Sequence, residues 1–190
     1  MKSPIRRLVG LFALTAFVFV AGCDSEEPPP DSGESELITR VTMTLVPVGT
    51  GTTAIASATD EEGDGLNLVI DTLTVNAGKT YTGGIRFEDT TANVDITDEI
   101  EDEANDHQIF YTTGGEDGDR FSLSVTDRDG NGLPIGLDYT VNVTGFDEGT
   151  ATLNVVLSHY DGEDKDGTTR SMETDIEVTF PIRILPFIPD

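Results

Sequence analysis

The 190 residues carry 36 Asp and Glu against 11 Lys and Arg, a formal charge of −25, with two histidines, one cysteine and no tryptophan. So negative a surface repels nucleic acid and anionic lipid headgroups, which excludes nucleic acid as a partner and favours cations and basic proteins. A single cysteine excludes an intrachain disulfide, and the shortage of aromatic residues leaves little from which to build a sugar platform.

Lys2, Arg6 and Arg7 precede the apolar run from Leu8 to Ala21, and Val20-Ala21-Gly22-Cys23 then meets acidic residues. A basic start, a short apolar segment and small residues before a cleavage point make a secretory signal, and the run is too short to cross a bilayer comfortably. The pattern resembles the lipobox of bacterial lipoproteins. That resemblance implies cleavage before Cys23, diacylation of its thiol and a membrane anchor. Removing residues 1 to 22 takes away three basic groups and no acids, which leaves a balance of about −28 in the mature chain.

Residues 23 to 36 continue as a tether, DSEEPPPDSGESE after the cysteine, with no core-forming residue besides its prolines. Its thirteen residues reach about 20 Å as a coil. Acids straight after the cysteine resemble the signal that sends some lipoproteins to the outer face of the outer membrane. Cell-envelope localisation, at the outer membrane and exposed at the surface, is the resulting expectation.

Residues 37 to 190 are the length of one domain with a sizeable core. Period-two alternation runs through Val41/Met43/Leu45, Phe121/Leu123/Val125, Tyr139/Val141/Val143, Leu153/Val155/Leu157 and Ile176/Val178/Phe180/Ile182/Ile184. Shorter strands are expected at Thr53 to Ala58, Leu68 to Val75, Thr80 to Phe87 and Gln108 to Thr112. Gly- and Asp-rich turns separate them. Eight or nine such strands predict an all-β fold, an antiparallel β-sandwich.

One helix is expected, Thr97 to His107, with Thr97 as N-cap and Asp98 and Glu99 in the first turn. Ile96, Ile100 and Ala104 form a narrow apolar stripe, and Glu103 and His107 lie beside it. Like charges four apart cost about 0.2 to 0.5 kcal/mol each, so the segment needs docking, high salt or a bound cation.

If successive strands alternate in direction, connections 49 to 52, 77 to 79, 113 to 120 and 145 to 150 share one end of the sandwich. The segments 59 to 67, 88 to 107, 128 to 136 and 160 to 173 then share the other, and with them most of the acid and both histidines. That end is a candidate divalent-metal site, with His107, His159 and Glu103 as ligands and Glu99 as helical neighbour, for Zn2+ or Ca2+. The alternative is a pair of locally hydrogen-bonded histidines, His107 against the helix C-terminus. No HExxH is present.

A second candidate is the loop Asp127, Asp129, Asn131 and Asp138, whose spacing is that of an EF-hand calcium loop with Gly132 at its sixth position. Flanking strands, Pro134 and the short Asp138 favour instead a turn selected for its backbone angles. Asp60 to Gly65 and Asp161 to Gly167 read as solvated turns. There is no GxSxG elbow, no phosphate loop and no cysteine nucleophile after lipidation, so a non-enzymatic protein is expected.

The lipobox, ITDEIEDEANDHQIFY (96 to 111), DRDGNGLPIGLDYTV (127 to 141) and TDIEVTFPI (174 to 182) together resemble a group of uncharacterised bacterial lipoproteins, sometimes labelled as a type 1 periplasmic-binding fold. The resemblance spans most of the chain and carries no activity across. The label implies repeated βαβ units, which one helical segment does not supply. The expected function is a lipid-anchored binding protein whose acidic end takes a divalent cation or a basic partner beside an outer-membrane receptor. The other reading is a structural or adhesive surface module whose acidity only suits concentrated salt, where screening lengths fall to about 3 Å at 1 M.

Overall fold

Alternation of apolar and polar residues becomes two facing sheets in the computed structural model, which describes residues 37–63 and 66–188. Cys23, the signal, the tether and Asp64 lie outside the described residues. In chain order the strands are β1 Arg40–Pro47, β2 Ala54–Thr59, β3 Val69–Ile70, β4 Leu73–Asn76, β5 Thr80–Asp89 and β6 Val94–Asp95. After helix α1, Ile96–Asp102, follow β7 His107–Gly114, β8 Phe121–Val125, β9 Asp138–Val143, β10 Gly149–His159 and β11 Glu173–Leu185. One sheet has the order β3-β2-β1-β5-β9-β8 with β6 on β5, and the other has β4-β11-β10-β7. The architecture is the expected all-β sandwich with one short acidic helix among the described residues, and it holds no repeated βαβ unit.

Inward positions of both sheets fill the core. Val41, Met43 and Leu45 face Leu153, Val155, Leu157, Phe180 and Ile184, all essentially inaccessible to water. Each contributes about 1.5 to 3 kcal/mol of burial. Gly83 makes room within this layer. A Cβ there would stand 2.6 Å from Leu45 Cδ2 and run into the Tyr139 ring, whose hydroxyl donates to the Gly84 carbonyl at 2.9 Å.

Two expectations need correction. Leu68 to Val75 is not one strand: Val69–Ile70 pairs with β2, whereas Leu73–Asn76 crosses to the second sheet and pairs with β11 in parallel. Asp71 marks the crossing. Its N–H donates to the Ser57 carbonyl and its carboxylate accepts from the Ser57 N–H, which ends the first pairing and frees Leu73 and Val75 to enter the core. The sandwich therefore contains one parallel pair in an otherwise antiparallel arrangement.

The helix is also shorter than expected. It ends at Asp102 rather than His107, with Glu103 already outside helical angles and no basic residue in the last turn to offset the dipole. Asp95, not Thr97, is the N-cap, accepting from the Thr97 N–H. Burial raises the Asp95 carboxyl, but hydrogen bonds from Thr97 and Arg86 outweigh it and hold the group below the ordinary carboxylate range. Thr97 docks the helix instead: its hydroxyl accepts from the Phe87 N–H at 2.9 Å and donates to the Phe87 carbonyl at 3.2 Å. Ile96 and Ile100 seat the helix on the core, which supplies what seven residues lack alone.

The pairing registers fix which connections share a pole. Arg40 of β1 lies beside Thr59 of β2 and Glu88 of β5, and His159 of β10 lies beside His107 of β7 and Glu173 of β11. The segments after β2, between β5 and β7, between β8 and β9, and between β10 and β11 therefore gather at one pole, as the alternation of strand direction predicts. β3 and β4 run in the same sense, so the sheet switch leaves that alternation intact.

Candidate functional site

At the acidic pole the β7–β10 register sets His107 directly opposite His159, in phase with the inward residues Ile109 and Leu157. The rings stack with centroids 4.4 Å apart and planes 24° from parallel. His107 is fully buried and His159 is 9% exposed. The short connection from α1 brings Glu103 close. Its carbonyl lies 3.3 Å from His107 Nδ1 and its carboxylate 4.0 Å from the same atom. One donor atom from each of Glu103, His107 and His159 falls within 4.8 Å of the others, the one such convergence of metal-binding groups among the described residues.

A fourth group was not foreseen. Asp175 sits at the register shift in β11, where Ile176 faces Leu157 but Thr174 faces Ser158, so Asp175 is the extra residue of a β-bulge. The bulge turns its carboxylate inward to complete burial, with Oδ2 3.8 Å from His107 Nε2 and Oδ1 3.9 Å from His159 Nδ1. Strict period-two reading of TDIEVTF puts Asp175 on the outer face, so no residue pattern announces it. Glu99 stands apart: it is exposed on the helix and outside the convergent group.

The EF-hand-like loop is arranged differently from a calcium site. Asp127 accepts from the N–H groups of Gly136, Leu137 and Asp138. Asp129 accepts from Asn131 and Leu133 N–H and from the ammonium of Lys165 at 2.8 Å. Asn131 bonds to Asn105, and Asp138 is exposed at the start of β9. The four are held by different partners, and the cation on Asp129 is the ammonium of Lys165. Burial raises the Asp129 carboxyl, but Lys165 and the two amides outweigh it and hold the group low.

Asp161 to Asp164 and Asp166 are exposed, as expected of a solvated turn, and Lys165 is the exception within it. Its side chain is 3% exposed and its Nζ donates to the Ala104 carbonyl at 2.8 Å, so it ties the β10–β11 connection to the residue after Glu103 and to the β8–β9 loop. Hydrogen bonds also hold Asp166 and Tyr160 in this connection. Asp166 accepts from the Thr168 and Thr169 amides, which lower its carboxyl far below the ordinary range. Tyr160 donates to the Thr169 carbonyl, and burial pushes its phenol up to about 12. On the outer face, Gln108 Nε2 reaches the Gly167 carbonyl, while Gln108 Oε1 and Ser158 Oγ are buried without a hydrogen-bond partner.

Taken as a class, this is a two-sheet β-sandwich with an imidazole and carboxylate cluster sealed into one acidic pole. No protein-family model matches the chain, and no curated protein matches it. Among solved structures, domains 4 and 5 of the S-layer protein SbsC are similar, at 15% identity and a TM-score of 0.30, covering 81% of this chain and 74% of that one. A likeness of that degree assigns no activity.

Proposed function

We propose that the protein is a lipid-anchored, non-enzymatic module of the cell envelope whose acidic pole binds a divalent cation through His107, His159 and Glu103. The observation that carries this reading is the convergence of two buried imidazoles and a carboxylate to within 4.8 Å at the pole where the acidic connections gather. Imidazole nitrogens suit borderline dications, and a mixed nitrogen and oxygen set distinguishes such a site from an oxygen cage for Ca2+. The lipobox-like segment supplies the envelope location.

A metal–nitrogen bond lies in the plane of the imidazole ring. Binding therefore requires the two stacked rings to splay from their 24° arrangement, and the partly exposed edge of His159 provides the way in. Calorimetric titration of the purified protein with Zn2+ and Ca2+, at 0.1 M and 1 M NaCl, tests the proposal. Saturable binding of one ion that survives salt and is lost in His107→Gln combined with His159→Gln supports it. Binding that vanishes in 1 M NaCl and ignores both substitutions would leave only diffuse attraction to a highly charged surface, as the salt-adapted structural module predicts.

A further inference from the structure

The two nitrogens of His107 face different carboxylate residues, and this asymmetry locates the ion. Nδ1 looks toward α1, 3.3 Å from the main-chain oxygen of Glu103. A carbonyl oxygen accepts and never donates, so Nδ1 carries the hydrogen, and in the neutral ring, the form that binds metal, Nε2 turns its lone pair toward β11. Metal-binding imidazoles are held this way, the second ring N–H given to a main-chain carbonyl. On that side Asp175 Oδ2 is 3.8 Å from His107 Nε2, and its Oδ1 is 3.9 Å from His159 Nδ1. The His159 nitrogen is itself shielded from water and makes no hydrogen bond.

We infer that Asp175, rather than Glu103, is the carboxylate ligand, joining His107 Nε2 and His159 Nδ1 around a transition-metal dication of the Zn2+ class. The inference rests on the cation-binding reading above and narrows it. Zinc bonds of about 2.0 to 2.2 Å put the edges of a tetrahedron near 3.4 Å. Each imidazole nitrogen lies 3.8 or 3.9 Å from a different oxygen of the carboxylate, about half an ångström beyond that edge, so the carboxylate must turn to present one oxygen to both nitrogens as the rings splay. The fourth position lies toward the exposed edge of His159, open to water or to a ligand from a partner. Ca2+ asks for six to eight oxygens, and this inward face offers the carboxylate of one bulged residue. Glu103 is then a positioning residue that acts through its carbonyl, and its carboxylate is 42% exposed to solvent.

Zn2+ titration of the purified protein in 1 M NaCl with excess Ca2+ and Mg2+, on the wild type and on Asp175→Asn and Glu103→Gln, tests the assignment. Affinity should fall at least about 100-fold in Asp175→Asn and change less than about threefold in Glu103→Gln, given that even outer-shell losses cost 10- to 100-fold. Circular dichroism melts of each variant without metal report whether it folds. A gain-of-signal variant keeps the assignment testable if Asp175→Asn is unstable. In Asp175→Cys, Co2+ should develop an ultraviolet sulfur-to-cobalt charge-transfer band, which a merely structural role would not produce. Loss of binding in Glu103→Gln with retention in Asp175→Asn would move the ion to the helix side and overturn the assignment while leaving cation binding intact. Preference for Ca2+ over Zn2+ at this site would overturn the metal class, and a wild type that binds neither would remove both readings.

Discussion

Replacing Lys165 with methionine isolates the buried pair that ties three loops together at the acidic pole. Methionine keeps the apolar stem but deletes the ammonium, which stands 2.8 Å from Asp129 Oδ2 and 2.8 Å from the Ala104 carbonyl, with the two charged side chains 3% and 0% exposed. Breaking a buried pair by removing one partner costs about 3 to 5 kcal/mol, because the other charge stays buried and uncompensated. Asp129 keeps two amide donors, from Asn131 and Leu133, which places this case near the low end at about 3 kcal/mol. At roughly 2 to 4 °C per kcal/mol for a domain of this size, the melting temperature should fall by about 6 to 12 °C. Thermal and urea unfolding at pH 7 measure the loss, and it should persist in 1 M NaCl because a desolvated pair is little screened. The double variant Lys165→Met with Asp129→Asn should recover part of the loss, since both charges then leave the interior while the side-chain oxygen still accepts from the Asn131 and Leu133 amides. A cost under about 1 kcal/mol, an effect erased by salt, or a double variant as unstable as the two losses added would refute the reasoning.

The same pair dictates an acid response. The Asp129 carboxyl is lowered in the folded protein, so the stability it lends is complete above the unfolded value near 3.9 and is lost as pH falls below that toward the folded value. The advantage of the wild type over Asp129→Asn should thus be flat from pH 7 to about 5 and shrink below about 4 in pH-dependent unfolding, whereas an advantage that grows in acid would reverse the assigned sign. Gly83→Ala should cost about 1 to 3 kcal/mol in the same unfolding assay, because the added methyl meets Leu45 and the Tyr139 ring; an unchanged midpoint would mean that the layer has slack which the packing does not show.

Much of this architecture is legible in the residues, and what is hidden has identifiable physical causes. Alternation at Val41/Met43/Leu45 and Leu153/Val155/Leu157 marks inward faces directly, and the alternation of strand direction is enough to bring His107 and His159 to one pole. Asp175 is hidden because a one-residue bulge inverts the face of whatever precedes Ile176, and nothing in TDIEVTF encodes the extra residue. Lys165 is hidden for a different reason. An aspartate-rich turn looks the same whether its carboxylates hold an ion, water or an ammonium that arrives from a loop 36 residues away. Helix length is overestimated since carboxylates crowd the end where the dipole disfavours them, a cost that spacing alone does not weigh against docking at Ile96 and Ile100.

The strand that opens the described fold starts beside Thr59 and Glu88, at the very pole that holds the two imidazoles. Phe146 and Phe187, packed edge to face, lie at the opposite pole, so the exposed aromatic pair and the imidazole cluster are separate surfaces of one sandwich.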